Sequence, residues 1–267
     1  KSFIELVTQR IKFFKNFNFN RWKQHQVKDE FSQPIFLIGF PRSGTTLLDT
    51  ILRTNQSIEV IEEKPVLRNF LRNLNIKIKN NFNHLDNLEE KFIQNMQNVY
   101  FEEREQYLEN KKTKTVIDKM PLNIIYIAEI LRFFPNAKFI FALRNPYDSV
   151  LSCFMQQFEL NPAMKNFTSL ESSVILYDLV MELWIIYRDV FPINYHFIKY
   201  EDLVTDFEKT TKELFKFLEI DWSDNTKNFY ITAQKRLNIS TPSHNQVTSP
   251  LYTRSINRWK NYEKEFK

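Results

Sequence analysis

Apolar residues recur along this chain in two periods, and the alternation between them sets the expected architecture. Ile4, Val7, Ile11 and Phe14 fall on one face of a 3.6-residue repeat, so the first 30 residues read as helix. A short apolar run follows, Pro34 to Gly39, of the kind found in a strand buried on both faces. Past the loop from Phe40 to Gly44, helical spacing returns at Leu47, Leu48, Ile51 and Leu52. Thr115 to Ile117, Ala137 to Leu143 and Tyr195 to Lys199 read as further strands. Between them, Pro121 suits a first helical turn, Ile124, Ile127, Ala128, Leu131 and Phe134 continue it, and Pro135 stops it. Asn145-Pro146 is an N-cap with a first-turn proline, ahead of Val150, Leu151, Phe154 and Phe158. Leu85, Leu88, Phe92, Met96 and Val99 mark an acidic amphipathic helix suited to packing or to a lid. Strands alternating with helices imply an α/β fold with a central, mostly parallel sheet flanked by helices. No repeat, low-complexity tract or linker divides the chain, so one domain is expected over 31–267, preceded by an N-terminal helical segment over 1–30.

Composition narrows the function classes. With 43% hydrophobic and 26% charged residues in 267, the chain is ordinary for a soluble globular protein and too apolar for a disordered one. Uninterrupted apolar stretches are as short as Phe139 to Leu143, far below the 18 or so that cross a bilayer, so no membrane association is expected. The chain opens on Lys1 rather than methionine, which leaves upstream segments open. A single cysteine, Cys153, permits no internal disulfide and fits a reducing compartment; among apolar neighbours at helical spacing it reads as a small core residue. The net charge is 37 − 32 = +5, which suits an anionic partner. No block of five like charges is present, so a small anion in a local basic pocket is expected rather than nucleic acid.

Glycine is nearly absent: the chain has 2, where average usage gives roughly 19. Both lie in one stretch, Gly39-Phe-Pro-Arg-Ser-Gly44-Thr45-Thr46, which has the outline of a phosphate-binding loop between a strand and a helix N-terminus. A plain tight turn is the alternative. Thr45 stands where a triphosphate-binding loop carries lysine, which disfavours an ordinary ATPase or kinase. Arg42 supplies positive charge from another position, and Ser43, Thr45 and Thr46 supply hydroxyl donors. A second strand-to-helix segment, Phe139 to Ser152, places Arg144 at a strand's carboxyl end and Ser152 two turns into the helix. Open α/β sheets bind ligands beyond those ends, and a guanidinium grips phosphate in bidentate fashion. An ion pair with Asp148, four residues on, is the other reading of Arg144.

Phe40-Pro-Arg-Ser-Gly-Thr-Thr-Leu47 resembles the loop of sulfotransferases that use 3'-phosphoadenosine 5'-phosphosulfate (PAPS), and the resemblance runs from about Phe31 to Tyr262. It is similar above all to protein-tyrosine sulfotransferases and to related bacterial sulfotransferases that follow helical repeats. The resemblance implies the P-loop-like sulfotransferase fold and in-line transfer of a sulfuryl group from PAPS to an acceptor hydroxyl. The product would be 3',5'-adenosine bisphosphate (PAP), no metal would be needed, and a bacterial, cytoplasmic enzyme is expected. The loop, with Arg42, would hold the 5'-phosphosulfate, and Arg144 with Ser152 the 3'-phosphate. The base falls at Glu63, 21 residues after Arg42, or at adjacent Glu62; a carboxylate close to phosphate charge holds a proton more firmly, which suits abstraction from a hydroxyl. The residue-level alternative is that Glu62 and Glu63 open a solvated helix containing Val66, Leu67 and Phe70. In Asp118-Lys119-Met120-Pro121, Lys119 would stabilise charge on the oxygen between phosphorus and sulfur. Tyr200, in Tyr-Glu-Asp-Leu, would contribute to nucleotide binding. A closing loop would add Ser243 on the sulfate, Gln246 beside Val247, and Arg258 before Trp259 on the phosphates. His25, His84, His196 and His244 have no matching context as bases. Gln156 departs from the tyrosine enzymes, which carry an arginine there, and so leaves the acceptor open among peptide tyrosine, carbohydrate and small metabolite. A P-loop-type kinase with an unusual loop and a non-catalytic nucleotide-binding module are the competing readings.

Overall fold

A computed structural model describes residues 2–22, 33–110, 113, 115–235 and 247–266. Strands β1 (Ile35–Gly39), β2 (Ile58–Glu62), β3 (Thr115–Lys119), β4 (Lys138–Leu143) and β5 (Asn194–Lys199) form a single sheet in the order β2-β3-β1-β4-β5. Every pairing is parallel, with Ile35 opposite Ile117 on one side and Lys138 on the other. The α/β architecture is therefore as the alternating periods predict. β2 escapes the sequence reading because Glu59 interrupts its apolar residues, whereas the two charges of β3 fall at that strand's end, and the apolar neighbours of β2 come from elsewhere in the chain.

Alternation along the strands divides the core in two. Phe36 and Ile38 of β1 join the larger cluster, and Leu37 the smaller. On the larger side pack α1 (Phe3–Phe14), α3 (Val66–Ile78), α4 (Glu90–Glu105), α5 (Ile127–Phe133) and α7 (Leu170–Val190). The opposite face is covered by α2 (Thr45–Leu52), α8 (Tyr200–Thr205), α9 (Phe207–Phe217) and α10 (Phe229–Lys235). The helix α6 (Pro146–Phe154) follows β4. Among the described residues no helix is long and apolar enough to cross a membrane.

Local chemistry explains where the elements depart from the periodicity. Ser2 and Glu5 cap α1 reciprocally, but the helix stops at Phe14 because the asparagine-rich stretch after it turns. Asn18 accepts from its neighbour Asn20 and opens a 3₁₀ turn over Phe19–Arg21. The segment after Pro121 runs as 3₁₀ helix to Tyr126 before α5 begins, with β-branched Ile124 and Ile125 in the tighter part. Helix α6 ends at Phe154, so Phe158 lies beyond it, in the connection to α7. α1 is bound into the molecule through Arg10, whose guanidinium meets both carboxylate oxygens of buried Glu129 at 2.6 and 2.8 Å.

The carboxyl end of β3 holds a buried acid. Asp118 accepts weakly from the Tyr100 hydroxyl at 3.5 Å, and burial pushes its carboxyl up to about 7. A folded-state pKa above the unfolded one means this site favours the fold at low pH, and that contribution is lost as pH rises through about 7. Asp118→Asn, isosteric and neutral, is therefore expected to raise the melting temperature by a few degrees at pH 8 and by much less at pH 5, as thermal unfolding at both values will show.

Candidate functional site

The sheet order explains where a ligand can sit. From β1 the chain crosses toward β2, whereas from β3 it crosses back over β1 to β4, so neighbouring β1 and β4 feed connections in opposite directions. A crevice opens beyond the carboxyl ends of strands at such a point. A cleft of about 640 Å³ lies there, lined by residues that follow all five strands.

The two glycines are needed at the first of these strand ends. A Cβ at Gly39 would lie 2.5 Å from the Ala142 carbonyl oxygen of β4, so backbone approaches backbone too closely for any side chain. Gly44 has φ 97°, and a Cβ there would meet the Tyr200 ring at 3.0 Å. As the N-cap of α2 it carries no side chain to satisfy the helix's first N–H groups, and Gly44, Thr45 and Thr46 line the cleft. Between the glycines, Arg42 takes the left-handed conformation, φ 67°. Its Nε donates to Ser152 Oγ at 3.1 Å, and burial pulls its guanidinium below the usual value. The Ser43 hydroxyl turns inward instead, donating to the Phe40 carbonyl at 2.5 Å, and is not on the cleft wall.

Arg144, just after β4, joins this group. It donates to the Arg42 carbonyl at 3.0 Å and to the Ser255 carbonyl at 2.7 Å, its charge lies 4.7 Å from the Tyr200 ring centre, and its buried Nε has no hydrogen-bond partner. The alternative ion pair with Asp148 does not form. The Asp148 carboxylate, buried, accepts from the backbone N–H of Asn257 at 2.7 Å and of Trp259 at 2.9 Å. These two bonds flank Arg258, which lines the cleft, and the Trp259 ring stacks on Tyr147 at 4.6 Å. Sequence reading missed Asp148 in this role because its partners lie more than a hundred residues away; an acid in a helix's first turn already had a local explanation. Arg42, Thr45, Thr46, Gly44, Arg144, Ser152, Tyr200 and Arg258 thus share one cleft. Ser243 and Gln246 lie outside the described residues. Cys153 is buried, donates to the Pro41 carbonyl at 3.3 Å, and burial pushes its thiol up, as a core residue requires.

At the other end of the crevice, the two adjacent glutamates are placed differently. Glu62 closes β2 with 7% of its side chain exposed and is not on the wall, whereas Glu63 keeps 35% and faces the cleft. Neither opens a helix, since α3 begins at Val66. Glu63 too has left-handed backbone, φ 50°, and its N–H donates to the Lys119 carbonyl at 2.8 Å. Strain of this kind persists where surrounding structure enforces it, and it aims the side chain off the strand. Lys119 Nζ is fully buried, 3.0 Å from Glu63 Oε1, 3.3 Å from Glu62 Oε1 and 4.0 Å from Asp49 Oδ2, and it reaches the cleft only through Glu63. Arg53 pairs with Asp49 at 2.5 Å and also donates to the Val60 carbonyl, which completes the buried cluster.

A loop rimmed with anion donors and a carboxylate at one end of the same cleft suit transfer of an anionic group to an acceptor that loses a proton. Comparison with known proteins agrees. An uncharacterized protein of Aquifex aeolicus is 28% identical over 243 residues, which is 87% of this chain and 31% of its own length. The protein-tyrosine sulfotransferase of Drosophila melanogaster is 24% identical over 84% of this chain and 46% of its own length. The chain therefore spans about a third to a half of these relatives. Among solved structures, the sulfotransferase domain of a Synechococcus olefin synthase superposes with a TM-score of 0.55 at 20% identity, covering 89% of this chain and 91% of that one. The sulfotransferase domain of the curacin biosynthetic pathway gives 0.51 at 19% identity, with 88% and 98% covered. These likenesses place the fold. The profile of the sulfotransferase family matches residues 34–224, well over half of the sequence, and the chain belongs to that family.

Proposed function

We propose that this protein transfers a sulfuryl group from PAPS to an acceptor hydroxyl. The observation that carries the reading is the convergence of Arg42, Ser152 and Arg144 at the β1 and β4 ends of a cleft whose β2 end presents Glu63. The cleft's chemistry fits a donor with two separated anionic groups. The uncapped start of α2 and Arg42 face one, and Arg144, with a buried Nε that lacks a partner, faces the other beside Ser152 and Arg258. The donor supplies the sulfuryl group: an S–O bond forms to the acceptor oxygen, the S–O bond to the 5'-phosphate breaks, and PAP leaves with the electron pair.

Glu63 accepts the acceptor's hydroxyl proton. Lys119 holds that carboxylate in place and sets positive charge behind the transfer site, and Arg42 and the α2 N–H groups offset charge on the phosphosulfate. Tyr200 packs against both Gly44 and Arg144 and so couples the two phosphate sites. Ser243, Gln246 and Arg258 belong to the same proposal as closing-loop contacts.

Incubation with ³⁵S-labelled PAPS and a library of hydroxyl compounds is expected to give a labelled product, and calorimetry to give tighter binding of PAP than of ATP with magnesium. Preference for ATP would point instead to a kinase. PAP binding without label transfer to any acceptor would leave a nucleotide-binding module. Asp148→Asn gives a sharper check on the 3'-phosphate site, because it weakens the two backbone bonds that flank Arg258. It is expected to lower PAP affinity about tenfold, the equivalent of one charge-assisted hydrogen bond, and to lower adenosine 5'-phosphate affinity far less.

A further inference from the structure

The phosphate loop and the base lie on different elements, and one buried acid connects them. Helix α2 offers its first residues, Thr45 and Thr46, to the cleft. One turn on, Asp49 is off the wall and its side chain has no exposed surface. Its two carboxylate oxygens meet two cations. Oδ1 accepts from Arg53 Nε at 2.5 Å, and Oδ2 lies 4.0 Å from Lys119 Nζ. Arg53 in turn donates to the Val60 carbonyl in β2, the strand that Glu62 closes and Glu63 follows.

An Asp–Arg pair four residues apart is ordinary on an exposed helix face, where water solvates both charges. Here the carboxylate is buried, so its charge depends on cations within the protein, and attraction to Lys119 at 4.0 Å is little screened. Lys119 has three N–H donors, and three acids stand around it: Glu63 at 3.0 Å, Glu62 at 3.3 Å and Asp49 at 4.0 Å. Glu62 and Glu63 come from the end of β2, whereas Asp49 comes from the helix whose first turn faces the donor. The place of the ammonium, and through it that of the Glu63 carboxylate, is thereby tied to α2.

Resting on the PAPS-dependent transfer proposed above, we infer that Asp49 is a positioning residue: it holds Lys119, and through Lys119 the base Glu63, in register with a donor bound at the start of α2. Donor and base then keep their spacing because one turn of a buried helix separates the two tasks.

The test combines Asp49→Asn with Glu63→Gln. It is read in single-turnover transfer from ³⁵S-labelled PAPS to the compound of the hydroxyl library that the parent protein labels fastest. Asparagine keeps the volume and can still accept from Arg53, but it loses the charge that attracts Lys119. Turnover is expected to fall about tenfold, with PAP affinity on a calorimeter within about twofold of the parent. Added to Glu63→Gln, the same change is expected to cost less than about twofold, because the base that it positions is already gone. Asp49→Ser, which removes the carboxylate and can bond the helix backbone, is expected to repeat the pattern. A merely structural loss would carry over equally into the Glu63→Gln background or weaken PAP binding in step with turnover. Either result, unchanged turnover, or failure of both Asp49 variants to fold overturns the inference and leaves the donor reading standing. If the parent itself neither binds PAP nor labels any acceptor, the donor reading falls and the positioning role falls with it.

Discussion

Replacing Glu63 with glutamine is expected to lower sulfuryl-transfer turnover by about 10²- to 10⁴-fold, the usual contribution of a positioned general base, and to leave PAP affinity nearly unchanged. Glutamine fills the same volume, and its side-chain oxygen can still accept from Lys119 Nζ, which stands 3.0 Å from Glu63 Oε1. What it cannot do is take a proton. Of the phosphate-facing groups, Arg144 and Ser152 bond at other strand ends, and Arg42, although the Glu63 charge acts on its guanidinium, keeps its bond to Ser152. Glu62→Gln supplies the contrast. That carboxylate lies behind Lys119 and off the wall, so most of the turnover is expected to survive its loss. Single-turnover rates for the two variants decide between neighbours that sequence spacing alone leaves interchangeable. If Glu62→Gln is the inactive one, the base assignment moves by a residue.

That ambiguity shows what kind of information the sequence carries. Periodicity reports which residues are buried, so β1, β3, β4 and β5 and the helices after β1 and β4 are legible from apolar spacing alone. The glycine loop is legible because glycine is rare enough in this chain for its two positions to demand an explanation, and Gly39 and Gly44 turn out to stand against Ala142 and Tyr200. Long-range pairing leaves no such trace. Nothing local to Asp148 distinguishes an ion pair with Arg144 from a grip on the backbone at Asn257 and Trp259. Likewise, the left-handed backbone of Glu63, which aims it into the cleft, follows from how β2 ends beside β3; that pairing belongs to the sheet, and Glu59 interrupts the apolar residues of β2 itself. Helix α7 is a different case. Its buried positions, Ser173, Leu176, Val180, Leu183, Trp184 and Tyr187, keep helical spacing, so its signal is present in the sequence and went unread.

The second large effect separates stability from chemistry at Lys119. Lys119→Met keeps the length of the side chain but removes the ammonium that lies 3.3 Å from buried Glu62, while Asp49 retains Arg53 and Glu63 can turn toward solvent. Removing one partner from a buried ion pair typically costs about 3–5 kcal/mol, because the remaining charge is stranded. For a chain of this size that corresponds to a fall in melting temperature on the order of 10 °C. Turnover is expected to fall as well, since the ammonium that fixes Glu63 is gone. Adding Glu62→Gln to Lys119→Met removes the buried negative charge that the ammonium offset, so the double variant is expected to regain much of the lost melting temperature. It should not regain turnover, because nothing restores the hold on Glu63 or the positive charge behind the transfer site. A double variant that recovers both would reduce Lys119 to a structural counter-ion, and a single variant that melts like the parent would mean that the buried cluster is not held by that ammonium.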